Sequence, residues 1–160
     1  MPTKLGKHFR KTVTQNLSYW MTEGKQNCVV DLKGKGLNAE VSLVSKDPCA
    51  DWFVEHFYVY CVYRKEVNFQ HLLNAQQKHR TGGIAVWETT CIKAKEEEKF
   101  PIMFMGQANR MSFVCLNKGS RRLLIRKQFK PLATFWDIDL HLYHSRDIFI
   151  YVEYRKVCQW

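Results

Sequence analysis

No run of this 160-residue sequence approaches the roughly twenty apolar residues that a membrane-spanning helix needs. There is no internal repeat, no low-complexity tract and no linker-like stretch, which argues against solenoids, fibrous chains and a two-domain split. The cysteines Cys28, Cys49, Cys61, Cys91, Cys115 and Cys158 never form a C-x-x-C pair, so zinc-ribbon and zinc-finger spacings are missing. Phosphate-cradling loops are missing too: Gly82-Gly83 is not followed by Lys-Ser/Thr, and Gly34-x-Gly36 has no third glycine. The N-terminus lacks the unbroken apolar core of a secretory signal. The scattered cysteines then read as small hydrophobes in a reducing compartment, and the expected location is cytoplasmic, with nuclear or peripheral-membrane placement as variants.

What is present is enough apolar material for a core. Hydrophobic residues make up 46% of the chain and aromatics 14%, which excludes disorder for the body of the protein. A chain of this length buries roughly two-thirds of its unfolded surface, so it needs no disulfide or metal staple.

Leu5, Phe9, Val13, Leu17, Trp20 and Met21 recur at steps of three or four, which predicts an amphipathic helix within a basic N-terminal segment, residues 1–27. Its apolar side would pack on the sheet or lie in a membrane interface. Residues 28–160 are expected to form one β-rich domain. Strands are predicted over 28–32, 37–45, 52–63, 84–94, 101–105, 110–116, 121–127 and 148–158, with Trp136, Ile138, Leu140 and Leu142 alternating against Asp137, Asp139, His141 and Tyr143. A helix is predicted over about 68–80, opened by Asn68 and closed by Gly82-Gly83. The expected fold is α+β, mainly β: a twisted antiparallel sheet or barrel of about seven to nine strands with one packed helix.

The net charge is +10, and it is unevenly spread. Residues 28–98 nearly cancel. Between Lys99 and Trp136 there are eight basic side chains, Lys99, Arg110, Lys118, Arg121, Arg122, Arg126, Lys127 and Lys130, and no acidic one. The N-terminal segment adds Lys4, Lys7, Arg10 and Lys11. Like charges this close repel one another, so an external anion is the natural partner. Arg121, Arg122, Arg126, Lys127 and Lys130 are expected on one hairpin and its exit. Phe113, Phe129, Phe135 and Trp136 interleave with this charge and are expected mostly in the core.

Compactness, basicity and a basic arm are similar in general character to small viral matrix, capsid or RNA-binding proteins, and the resemblance implies an assembly or binding role. The expected function is therefore non-enzymatic binding of an anionic partner, RNA before an acidic membrane surface, with self-association as an added option and no cofactor. Two alternatives stand beside it. A small β-barrel would hold an apolar ligand among its Phe, Tyr and Met side chains. A metal-dependent nuclease would use Asp137, Asp139 and His141, two carboxylates and an imidazole on one strand face.

Overall fold

The computed structural model of the chain describes residues 2–22, 29–31, 38–41, 43–45, 47–64, 83–107, 112–125 and 129–158. Helix α1, Pro2–Thr22, opens on a proline, whose missing N–H costs nothing at a first helical turn. Val13, Leu17 and Met21, spaced by four, are all buried on one side of it. Thr12, Val13 and Thr14 form a β-branched run that weakens helix formation, and within it Thr12 and Thr14 donate to the carbonyls of His8 and Arg10. Trp20 Nε1 donates to the Val152 carbonyl at 2.7 Å, tying α1 to the other end of the chain. Its apolar stripe is thus spent on the protein's own core rather than left for a membrane.

Strands β1 (Val29–Asp31) and β3 (Leu43–Ser45) form a small antiparallel pair. The main sheet is open and mixed, built from β2 (Asn38–Val41), β4 (Phe57–Arg64), β5 (Phe100–Gln107), β6 (Phe113–Leu116), β7 (Ala133–Phe135) and β8 (Leu140–His144), in the order β2-β4-β5-β6-β8-β7. Among the described strands the one parallel pair, β4 with β5, requires a long crossover, and α3 (Gly83–Glu96) lies within it. Both faces are covered. On one side, Val59, Cys61, Ile102, Phe104, Val114, Leu116 and Tyr143 meet Val13, Leu17 and Phe53. On the other, Met103, Met105, Cys115 and Leu142 meet Trp87 of α3. Adjacent β5 residues alternate between these two cores, as the pleat demands. Gly106 is the notch that admits α1: a Cβ there would come within 2.6 Å of the Phe9 ring.

The architecture corrects the barrel expectation. The fold is α+β, but the sheet is open and mixed, and six α-helices stand among the described residues. Residues 84–94 are helical because Trp87, Thr90 and Ala94 bury one side at helical spacing, overriding the β-branched composition. The first half of 52–63 is α2 (Asp51–His56), and only Phe57 onward is strand. The 121–127 strand is instead α4, Lys118–Leu124. Asn117 and Ser120 form a reciprocal capping box: the Asn117 side chain accepts from Ser120 N at 2.8 Å, and Ser120 Oγ accepts from Asn117 N at 2.9 Å. The last predicted strand is two short helices, α5 (Ser145–Tyr151) and α6 (Tyr154–Val157). Residues 136–138 form a 3₁₀ turn before β8. The helix expected over 68–80 lies outside the described residues. Among the described residues, no helix is long and apolar enough to cross a membrane.

Candidate anion-binding site

The basic residues singled out in the sequence fall into three groups. Lys118, Arg121 and Arg122 are brought together on α4, and Lys130 follows in the segment leading to β7. Lys11 is exposed on α1, whereas Arg10 is an interior residue only 1% exposed and offers no surface charge. The side chains of Lys4 and Lys7, together with Arg110, Arg126 and Lys127, lie outside the described residues. Because residues 121–124 are helical, with Ile125 as the C-cap, the described part of the expected basic hairpin is a basic helix whose side chains point in different directions. Arg121 turns toward the sheet and donates from Nε to the Tyr143 hydroxyl at 2.8 Å. Arg122 faces solvent.

Among the described residues, no carboxylate forms an ion pair with the basic side chains of this helix. Ion pairs among the described residues include Arg146–Asp147, Lys156–Glu153 and His141–Asp139. Lys118, Arg121, Arg122 and Lys130 take part in none of them. The partner of Arg121 is a phenol that burial pushes above its ordinary pKa, so it stays a neutral acceptor and leaves the guanidinium charge in place.

The start of α4 is fixed from the neighbouring turn. Asp139 sits in the left-handed region (φ 49, ψ 53), where a short polar side chain is tolerated better than most. Its Oδ1 accepts the backbone N–H of Lys118 at 3.0 Å and lies 3.4 Å from His141 Nε2. His141, 3% exposed, lies across the ladder from Thr134, whose hydroxyl is 3.5 Å from Nδ1. Burial lowers the pKa of this imidazole; the Arg121 guanidinium lowers it further, and Asp139 opposes both. The ring is therefore neutral at neutral pH. The network assigns Nε2–H to Asp139 and makes Nδ1 the acceptor for Thr134.

The aromatic residues near the charge separate clearly. Phe113 and Phe135 are buried, and Phe129 packs edge-on against Tyr143. Trp136 is 81% exposed, and its ring stands perpendicular to that of His141, with the centroids 5.7 Å apart. Sequence reasoning, which placed all four mainly in the core, missed it; an apolar residue in an alternating pattern gives no sign that the strand has not yet begun.

The alternative sites fare differently. Asp139 and His141 do come together, but Asp137 is on the 3₁₀ turn and exposed, not aligned with Asp139 on a strand face. No group of three or more His, Cys, Asp or Glu side chains arranged to hold a metal occurs among the described residues. Cys91 of α3 is held up at about 12 by burial and by the carboxylates Asp139 and Glu88, so its thiol stays protonated and is a poor nucleophile. For an apolar ligand, the space left in the larger core among Leu17, Phe53, Ile102, Phe104 and Leu116 is ≈ 10 Å³, barely enough for one water. An open groove of ≈ 530 Å³ lies between α1 and α5, lined by Asn16, Tyr19, Ser112, Ser145, Arg146 and Ile150.

No family model, curated protein or solved structure matches the chain. The functional reading therefore rests on its own chemistry.

Proposed function

We propose that the chain is a non-enzymatic binding protein whose α4 surface engages the phosphates of RNA. One observation carries the reading: Lys118, Arg121 and Arg122 share α4, Lys130 follows them in the chain, and none of the four makes an ion pair among the described residues. Uncompensated cations on neighbouring positions raise one another's energy, and phosphates relieve that repulsion while releasing their own counterions. Exposed Lys11 on α1 is a candidate secondary contact. The free thiol of Cys115, fully buried, fits a reducing compartment, and the cytoplasm is the location this reading favours.

The test is an anisotropy titration of the full chain with labelled RNA at two salt concentrations. Four phosphate contacts give a slope of log K against log salt near −0.7 per contact, so raising salt from about 50 to about 200 mM weakens binding by about 50-fold. Arg122→Glu and Lys130→Glu each lower the affinity and flatten that slope. Binding that ignores salt, or equal binding by the two variants and the parent, refutes the reading. Salt-sensitive binding to anionic vesicles with none to RNA transfers the same surface to a membrane and also refutes it.

A further inference from the structure

Trp136 is the most exposed large apolar side chain among the described residues, yet the turn that carries it is tied to the core. The Trp136 carbonyl accepts the N–H of Asp139 at 3.4 Å. Two residues on, the Ile138 carbonyl accepts Trp87 Nε1–H at 3.2 Å, which pins the 3₁₀ turn to a fully buried indole. Asp139 then accepts the first N–H of α4. The His141 ring stands perpendicular to the exposed indole at a centroid distance of 5.7 Å, and most of the indole's surface faces solvent. The turn that carries the indole and the helix that carries Arg121 and Arg122 are thus joined by a single side chain and held in one fixed relation.

We propose that Trp136 is a stacking platform for an unpaired nucleobase, so that the site takes single-stranded RNA in preference to duplex. The proposal rests on the reading of α4 as a phosphate-binding surface and adds what that reading lacks. Cations alone recognise any polyanion. An open aromatic face beside them selects strands whose bases are free to leave their neighbours, and it does so without regard to sequence because every base has a π-face. In a duplex those faces are already stacked, and recognition falls back on backbone and groove shape. Because the turn is pinned before any ligand arrives, little ordering entropy is lost on binding.

The experiment uses the full chain, an unpaired labelled RNA of about a dozen nucleotides, sized to a typical single-strand site, and the same RNA annealed to its complement. Trp136→Ala is expected to weaken single-strand binding by about tenfold or more, with the salt slope unchanged, whereas Trp136→Phe retains most of the affinity. Duplex binding is expected to be weaker and the same for all three proteins. A Trp136→Ala protein that binds the single strand as the parent does overturns the proposal. So does a loss of equal size on single strand and duplex. An equal loss on a polyglutamate chain also overturns it, because the indole then serves an acidic protein segment. Failure of the underlying reading looks different: the parent chain binds neither RNA, or Arg122→Glu leaves both affinities unchanged.

Discussion

Replacing Asp139 by Ala, Gly and Asn separates the two demands placed on this position. The first is conformational. A residue with a β-carbon at φ 49 pays about 1 kcal/mol, from which Gly is exempt and Asn is partly exempt. The second is the hydrogen bond to Lys118 N–H with the contact to His141 Nε2. Charge-assisted bonds are worth ~1.5–3 kcal/mol when buried, but this carboxylate is half exposed, so ~0.5–1 kcal/mol is the appropriate range. Ala loses on both counts and is expected to cost about 1.5–2 kcal/mol. Gly relieves the backbone but gives up the bond and adds unfolded-state entropy, for about 1 kcal/mol. Asn keeps an acceptor oxygen and tolerates the left-handed region, so it costs about 0.5 kcal/mol or less. At ~2–4 °C per kcal/mol, the Ala variant melts about 3–8 °C below the parent. Urea unfolding followed by circular dichroism supplies the three differences, and the expected order of loss is Ala, then Gly, then Asn. A Gly variant as stable as Asn reduces the role to backbone conformation alone. An Ala variant no worse than Asn refutes the whole account.

Two further outcomes follow from the same geometry. His141 is held below its ordinary pKa when folded, so the unfolded chain binds its proton first as pH falls; stability is full above the unfolded value and drains away between that value and the lower folded one. His141→Gln should flatten that part of a stability–pH curve, and an unchanged acid limb speaks against the assignment. Gly106→Ala drives a methyl into the Phe9 ring and is expected to cost about 1–3 kcal/mol, whereas the double change with Phe9→Leu recovers part of the loss; equal losses in single and double variants disprove the contact.

The parts of this fold that could be read in the sequence are those where one physical signal acts alone. The spacing of Val13, Leu17 and Met21 describes α1 because a long helix repeats its apolar stripe many times. Strand β5 and the Phe113–Leu116 part of the run 110–116 were legible from short apolar runs bounded by polar residues. Misreadings cluster where two signals compete. The run Ile84, Val86, Trp87, Thr89 and Thr90 looks like a strand by composition, yet burial of Trp87, Thr90 and Ala94 on one side makes it a helix. Arg121-Arg122-Leu123-Leu124-Ile125 passes for an alternating strand only if the capping pair Asn117 and Ser120 is overlooked. The basic cluster was legible as charge, but not its direction: Arg10 goes inward and Arg121 sideways to Tyr143, and both depend on tertiary neighbours remote in sequence. The left-handed Asp139 left no trace in the sequence beyond being an aspartate.

Covering both faces of the sheet also explains why the candidate site is at its rim. Side chains in the middle of β4, β5 and β6 are consumed by the two cores, so a polar constellation can form only where strands end. The β7–β8 corner is such a place. β8 lies second from the edge, β7 is three residues long, and the connection between them is a single 3₁₀ turn. A turn this tight leaves no slack. Reversing the chain within it forces one residue into the left-handed region and brings that residue's carboxylate to the first N–H of α4, while an indole is left outside. An aspartate satisfies both requirements at once, whereas a glycine would meet only the first. Its negative charge beside a basic helix is not wasted: half of its bonding capacity is turned inward onto Lys118 N–H and His141, and the outward-facing cations of α4 keep their charge for a partner.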